Sequence, residues 1–144
     1  MIGNTKFNLR VGVILRYKDE VLIEISKIGS NSVIPGGRIK VGEPSCEALK
    51  REIKEEMGFL IDKEKLSFVK LFENFFTYEN TPVHELFIVY EYPVCESDYQ
   101  KLCILKDNKD NDNTYFSFIK LNDLDKVNLL PETLIDIIKD TSIN

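Results

Sequence analysis

Gly37-Arg38-Ile39-Lys40-Val41-Gly42-Glu43-Pro44-Ser45-Cys46-Glu47-Ala48-Leu49-Lys50-Arg51-Glu52-Ile53-Lys54-Glu55-Glu56-Met57-Gly58-Phe59 is the stretch on which the reading of this 144-residue chain turns. A glycine loop runs into a segment punctuated as a helix. Pro44 suits a first helical turn, where its missing N–H is not needed. Gly58 suits the left-handed position just past the last turn. Between them each residue advances the helix by about 100°. With Glu52 as reference, Glu56 lies roughly 40° to one side and Glu55 roughly 60° to the other, so three carboxylates share an arc of about 100°. Leu49, Ile53, Cys46 and Met57 fill the adjoining arc, the stripe expected to be buried. Glu47, Lys50 and Lys54 take the solvent side. Arg51 stands four residues from both Glu47 and Glu55 and is placed to pair with either.

Three carboxylates side by side repel one another, and a divalent cation removes the conflict. Mg²⁺ and Mn²⁺ take oxygen ligands, and Mg²⁺ is commonly held by a few carboxylates together with substrate phosphate oxygens. The Gly36-Gly37 pair lets a backbone carbonyl approach a metal, or backbone N–H groups approach a phosphate, without a side chain in the way. Pro35 stiffens the entry to that turn. A glutamate-rich helix is ordinarily a solvated face. Here the acidic arc abuts the apolar stripe instead of opposing it, and a Pro-Gly-Gly turn precedes it.

The same stretch resembles the signature of the Nudix (MutT-type) hydrolase family. That signature is a glycine, five residues, a glutamate, seven residues, Arg-Glu, an aliphatic residue, any residue, Glu-Glu, any residue, a glycine and an apolar residue. Gly37, Glu43, Arg51, Glu52, Ile53, Glu55, Glu56, Gly58 and Phe59 satisfy every fixed position. The resemblance implies an α+β fold, an α/β/α sandwich with a mixed, curved sheet between the box helix (box 37–59) and a C-terminal helix. It implies metal-dependent hydrolysis of a pyrophosphate linkage in a nucleoside di- or triphosphate derivative, NDP-X giving NMP and P-X, by attack of water on phosphorus. Glu52, Glu55 and Glu56 are the metal ligands it implies, with the Gly37 carbonyl as a further one. The expected ion is Mg²⁺, with Mn²⁺ as the alternative. Glu52 is the first choice for deprotonating the water, and Arg51 is assigned an orienting role. Glu43, at the helix N-terminus where a negative charge is favourable, orders the loop.

The rest of the chain agrees with one enzyme domain over 1–144. Its length allows a substantial core. Hydrophobic residues make up 43% and charged residues 30%, the balance of a soluble globular protein. The net charge of −5 argues against a stable nucleic-acid partner but not against phosphate substrates, because a metal supplies the positive charge. Met1–Asn8 has no signal-like apolar run, and no stretch approaches membrane-spanning length. Cys46, Cys95 and Cys103 are odd in number and scattered, and His84 is the lone histidine, so neither a disulfide framework nor a zinc site is expected. A cytoplasmic enzyme with a small nucleotide as partner, monomeric or homodimeric, is the expectation.

The elements follow from apolar patterning. Val11–Leu15 and Val21–Ser26 flank Lys18-Asp19-Glu20 as a hairpin. Ser32–Pro35 leads into the glycine turn. Leu66–Tyr78 reads as a long strand bulged near Glu73-Asn74, turned at Glu79-Asn80-Thr81-Pro82 and partnered by Val83–Tyr92. Lys106–Asn113 reads as a flexible loop, Tyr115–Leu121 as a last strand, and Leu130–Lys139 as a helix beginning near Pro131.

Outside the box the candidates are fewer. A further acidic ligand from a loop before the last strand would fall on Asp110, Asp112, Asn113 or Thr114; Glu73 and Glu85 are the alternatives. His84 is a candidate to contact a phosphate or act in catalysis, and as a lone histidine near a turn it reads first as a surface residue. Phe72, Phe75, Phe76 and Tyr78 supply core or a ring to stack on a base. Arg10 and Arg16 are candidates to reach phosphates. The competing readings are a nucleotide-sensing domain without catalysis and a 5′-RNA pyrophosphohydrolase. Retention of every box glutamate favours catalysis.

Overall fold

The computed structural model describes residues 4–141, and Met1–Gly3 of the leading segment lie outside the described residues. The run Val11–Leu15 is wholly buried because it lies at the centre of a mixed sheet. β1 (Lys6–Tyr17) turns through Lys18, whose φ is 54°, into β2 (Glu20–Ser26), with Arg16 facing Val21. Beyond that end the two strands part. β3 (Ser32–Val33) pairs with β2 and β4 (Gly36–Arg38) pairs with β1, so both short strands fill the wedge between them. The wedge brings the glycine turn to the start of α1 (Ser45–Met57).

β5 (Ser67–Tyr78) and β6 (Thr81–Pro93) form a long hairpin, and β6 runs parallel to β1 from Lys6↔Val83 to Arg16↔Pro93. Its turn is Glu79-Asn80, both at positive φ (50° and 66°), the geometry of a tight two-residue hairpin turn. The bulge lies between Phe68 and Lys70 and not near Glu73-Asn74. α2 (Glu96–Ile104) follows, then β7 (Asp107–Asn108), β8 (Asn111–Lys120) and α3 (Thr133–Thr141). The strand order is β5-β6-β1-β2-β8-β7.

Alternation along the strands makes two cores. Val11, Val13, Leu15 and Leu22 face Ala48, Leu49, Ile53 and Met57 of α1, with Leu102 of α2. Ile14, Val21, Ile23, Phe87 and Val89 face Leu134, Ile137 and Ile138 of α3. The result is the expected α/β/α sandwich. Leu49 and Ile53 are fully buried, and each such side chain contributes about 1.5–3 kcal/mol to holding α1 on the sheet. Cys46, expected in the stripe, is only half-buried.

Three elements differ from expectation. α2 buries only Leu102 of its nine residues, so it shows almost no apolar period to read. Lys106–Asn113 is not a structureless loop: it contains β7 and the start of β8, turned at Lys109-Asp110. α3 begins at Thr133, with Pro131 accepting the first turn's bond from the Leu134 amide. Among the described residues no helix is long and apolar enough to cross a membrane.

Candidate active site

The box loop and α1 are tied together at Arg51. Its Nε donates to Glu43 Oε2 at 2.9 Å and its Nη2 to Glu43 Oε1 at 3.0 Å, a two-pronged pair. Nη2 also donates to the Arg38 carbonyl at 3.1 Å, and Nη1 donates to Glu52 Oε1 at 2.9 Å. Glu55 Oε2 stands 3.7 Å from Nη1. The expected partner four residues behind, Glu47, is instead paired with Lys63. Glu43 wins because the loop presents it as a fixed fork, its Oε1 also accepting the Lys40 amide at 3.1 Å. The Arg51 guanidinium, and then the Lys40 amide, hold the Glu43 carboxyl down at about 2. The Glu43 carboxylate, and then that of Glu52, push the Arg51 pKa further up.

Pro44, extended at ψ 146°, stands just before the first turn of α1, and Gly58, φ 67°, stands just past its last turn, its N–H bonding the Lys54 carbonyl. The glycines before it are required by contact. A Cβ on Gly37 would lie 2.3 Å from Cδ of Glu52, and one on Gly36 would lie 2.0 Å from the Val11 carbonyl oxygen. Glu52 therefore lies directly against the backbone of β4, and any larger residue at 37 would displace its carboxylate.

Glu56 has the opposite setting to Glu43. It is 7% exposed, and its Oε1 is buried with no hydrogen-bond partner. Burial pushes its pKa up to about 9, and the charges of Glu24 and Glu52 add to the effect; Arg10 opposes them and Asp110 adds a smaller push. Glu24, on β2, is itself 8% exposed and accepts a bond from Asn108 Nδ2 at 3.1 Å. The Glu56 carbonyl accepts the Lys109 amide at 2.8 Å. Thus α1, β2 and the β7–β8 hairpin meet around one carboxylate. Glu55 is more open, its side chain 47% exposed. Among the described residues no three carboxylate, imidazole or thiolate groups already stand as a closed ligand set. The donors here are all carboxylate oxygens, and one is buried without a partner. That chemistry fits a hard divalent cation.

Glu24 was not among the sequence candidates. Its one signal is a glutamate inside the apolar run Val21–Ile25, and only the topology carries that face of β2 beneath α1. Asp110 contributes charge to the cluster, whereas Asp112 and Asn113 are exposed on β8 and Thr114 is half-buried. Glu73 and Glu85 are not among the charges acting most strongly on Glu56. Glu73 is exposed and bonds His84 at 2.9 Å, while Glu85 is buried, 5% exposed, in β6. Arg16 does not face this site: it pairs with Glu91 and donates to the Ile138 carbonyl and Thr141, closing the end of α3. Phe72 stacks on Phe87 in the core, Phe75 stacks on His84, and Phe76 and Tyr78 line a cleft with Arg10 and Glu85.

Three comparisons bear on this arrangement. The NUDIX domain model matches residues 6–137. No curated protein matches the chain. Among solved structures, a MutT protein from Bacillus halodurans is similar at TM-score 0.72 and 19% identity, over 95% of this chain and 83% of that one. A NUDIX hydrolase from Nitrosomonas europaea is similar at TM-score 0.67 and 14% identity, over 96% and 90%. An Ap4A hydrolase from C. elegans is similar at TM-score 0.61 and 17% identity, over 95% and 97%. Such identities show a shared fold, while the domain match spans nearly the whole chain and contains the complete box. The chain belongs to the Nudix hydrolase family, enzymes that act on pyrophosphate linkages.

Proposed function

We propose that this enzyme hydrolyses the pyrophosphate linkage of a small nucleoside di- or triphosphate derivative, NDP-X giving NMP and P-X, with Mg²⁺ or Mn²⁺ as its cofactor. The observation that carries the reading is Glu56: a buried carboxylate with an unpartnered oxygen, set beside Glu24 and Glu52. Such a group is costly unless a cation joins it.

Glu52, Glu55 and Glu56 would hold the ion, with a backbone carbonyl of the glycine turn. In the β1–β4 ladder, bonds at Val13–Pro35 and Ile39–Leu9 place Gly37 and Val11 in a bonded pair. The Gly37 carbonyl therefore offers its second lone pair, and the Gly36 carbonyl turns away from β1. When bound, the ion neutralises charge on phosphate oxygens and makes water more acidic. Glu52 takes the proton from the attacking water. Arg51 fixes the Glu52 carboxylate, and the Glu43 fork fixes Arg51. Arg10 faces both this cluster and the cleft beside it, and binds a phosphate there.

The test is a panel of nucleoside triphosphates, nucleotide sugars and dinucleoside polyphosphates with Mg²⁺ and with Mn²⁺, reading both products. Metal-dependent release of a mononucleotide supports the reading. Binding of nucleotides with no turnover under either metal would favour a sensing domain instead.

A further inference from the structure

Glu85 is a buried carboxylate that the proposed chemistry does not use. It stands opposite Asn8 in the parallel β1–β6 register. The two residues are 5% and 8% exposed, and what remains open faces a cleft that both line. Asn8 has no side-chain partner among the described residues. Glu85 has one long bond, from Asn74 Nδ2 to its Oε1 at 3.4 Å, which leaves Oε2 free. The cleft, in two adjoining parts of about 410 and 690 Å³, is of a size that takes a nucleotide-sized ligand. Phe76 and Tyr78 line both parts. Arg10 links it to the Glu56 cluster.

We propose that Glu85 and Asn8 read the base of the substrate, and that the base is guanine. The choice follows from donors and acceptors. A carboxylate accepts only, and its two oxygens match two N–H groups side by side. Guanine alone among the common bases offers that pair, N1–H beside N2–H₂. Its neighbouring O6 needs a donor, which the Asn8 amide supplies one strand over, about 4.8 Å away. Adenine would set the N1 lone pair against the carboxylate. Uracil and thymine would set an oxygen on each side of a single N–H. Cytosine offers one amino group beside an acceptor. Phe76 and Tyr78 stack on a flat purine without distinguishing one from another.

This inference rests on the nucleotide-hydrolase reading for its kinetic arm, and its binding arm stands alone. Without added metal, calorimetric titration should show GMP binding about 10- to 100-fold more tightly than IMP, which lacks only the 2-amino group, and AMP weaker still. With Mg²⁺, kcat/KM should fall in the order GTP, ITP, ATP. In Glu85→Gln the GTP-to-ITP ratio should fall towards one, because a carboxamide accepts one N–H and turns its own N–H₂ against the other. Asn8→Leu, tested beside it, should lower affinity for GMP and IMP together, since both carry O6. Equal binding of GMP, IMP and AMP, or binding of none, would overturn the assignment. So would a Glu85→Gln enzyme that loses all three substrates in proportion, which would make Glu85 a group for the reaction itself. Selective GMP binding with no hydrolysis of any nucleotide would sink the catalytic reading and leave this one standing.

Discussion

Glu43 and Glu56 belong to the same loop-and-helix unit, and their surroundings pull in opposite directions. Glu43 is gripped by two prongs of Arg51 and by the Lys40 amide, and its carboxyl is held down at about 2. Glu56 is shut away from water among other carboxylates, and its carboxyl is pushed up to about 9. The first is a finished structure: every charge has its partner. The second is satisfied only by something from outside. One helix thus carries both the satisfied brace and the unsatisfied carboxylate, with Glu52 between them touching Arg51 on one side and acting on Glu56 on the other.

The strongest way to break this contrast is Glu56→Gln. If Glu56 is the central ligand, kcat/KM should drop on the order of 10³-fold in Mg²⁺, with the fold intact by circular dichroism. A variant as active as the wild type would end the assignment. Glu24→Gln comes next, with an expected loss of about 10–100-fold, because Glu24 shares the cluster without belonging to the box. Weaker metal affinity, seen as a shift in the Mg²⁺ concentration for half activity, should accompany it.

Arg51→Lys probes the brace. Lysine keeps the charge but cannot fork onto Glu43 while reaching Glu52 and the Arg38 carbonyl. A loss of roughly tenfold in kcat, with little change in KM, is the outcome expected for a residue that orients Glu52. The thermal midpoint should fall as well. An unchanged kcat would mean that Glu52 needs no orienting.

The two carboxylates also predict opposite pH behaviour in the metal-free protein. Glu56 has its folded pKa raised from 4.5 to about 9, so between those values the folded state holds more protons than the unfolded chain. Its contribution to stability therefore declines as pH rises through that window. Glu43, lowered from 4.5 to about 2, contributes above 4.5 and loses its contribution as pH falls towards 2. Denaturant melts at pH 5 and pH 8 should show Glu56→Gln gaining about 1–3 kcal/mol on the wild type at the higher pH alone. Saturating Mg²⁺ should erase that gain. A gain equal at both pH values would mean that packing, and not charge, separates the variants.

Much of this was legible in the chain, and the failures have physical causes. The box helix could be read because period, proline and glycine agree: Leu49 and Ile53 are buried where the wheel puts them, and Gly58 takes the left-handed turn. The β1–β2 and β5–β6 hairpins were marked by their apolar runs. α2 was invisible because it lies on the surface with a single buried residue. The Asp- and Asn-rich stretch after it read as a loop because composition hides a short strand held by Asn108 and by backbone bonds. The closeness of Glu52 and Glu56 followed from helical spacing; Glu85 stood among the candidates only as an alternative acidic ligand, and Glu24 not at all. Each looks like the outward member of an alternating strand. Only the packing of helices on both faces of the sheet makes both faces interior.

Glu73 supplies the smallest expected effect and tests whether that distinction is right. It reaches His84 on the diagonal of the β5–β6 pair, where His84 stands opposite Phe75, and its side chain is 60% exposed. His84 is already held by stacking on Phe75, with ring centroids 4.4 Å apart, and by the edge of Phe7. An exposed pair of this kind contributes little to stability. Glu73→Gln should change kcat/KM by less than about twofold and stability by less than about 0.5 kcal/mol. Both follow from a steady-state assay and a urea melt on the same preparation. A tenfold loss of activity would show that the hairpin swings Glu73 into the carboxylate cluster during turnover. The extra ligand would then come from β5, and Glu24 would lose the role that its burial suggests.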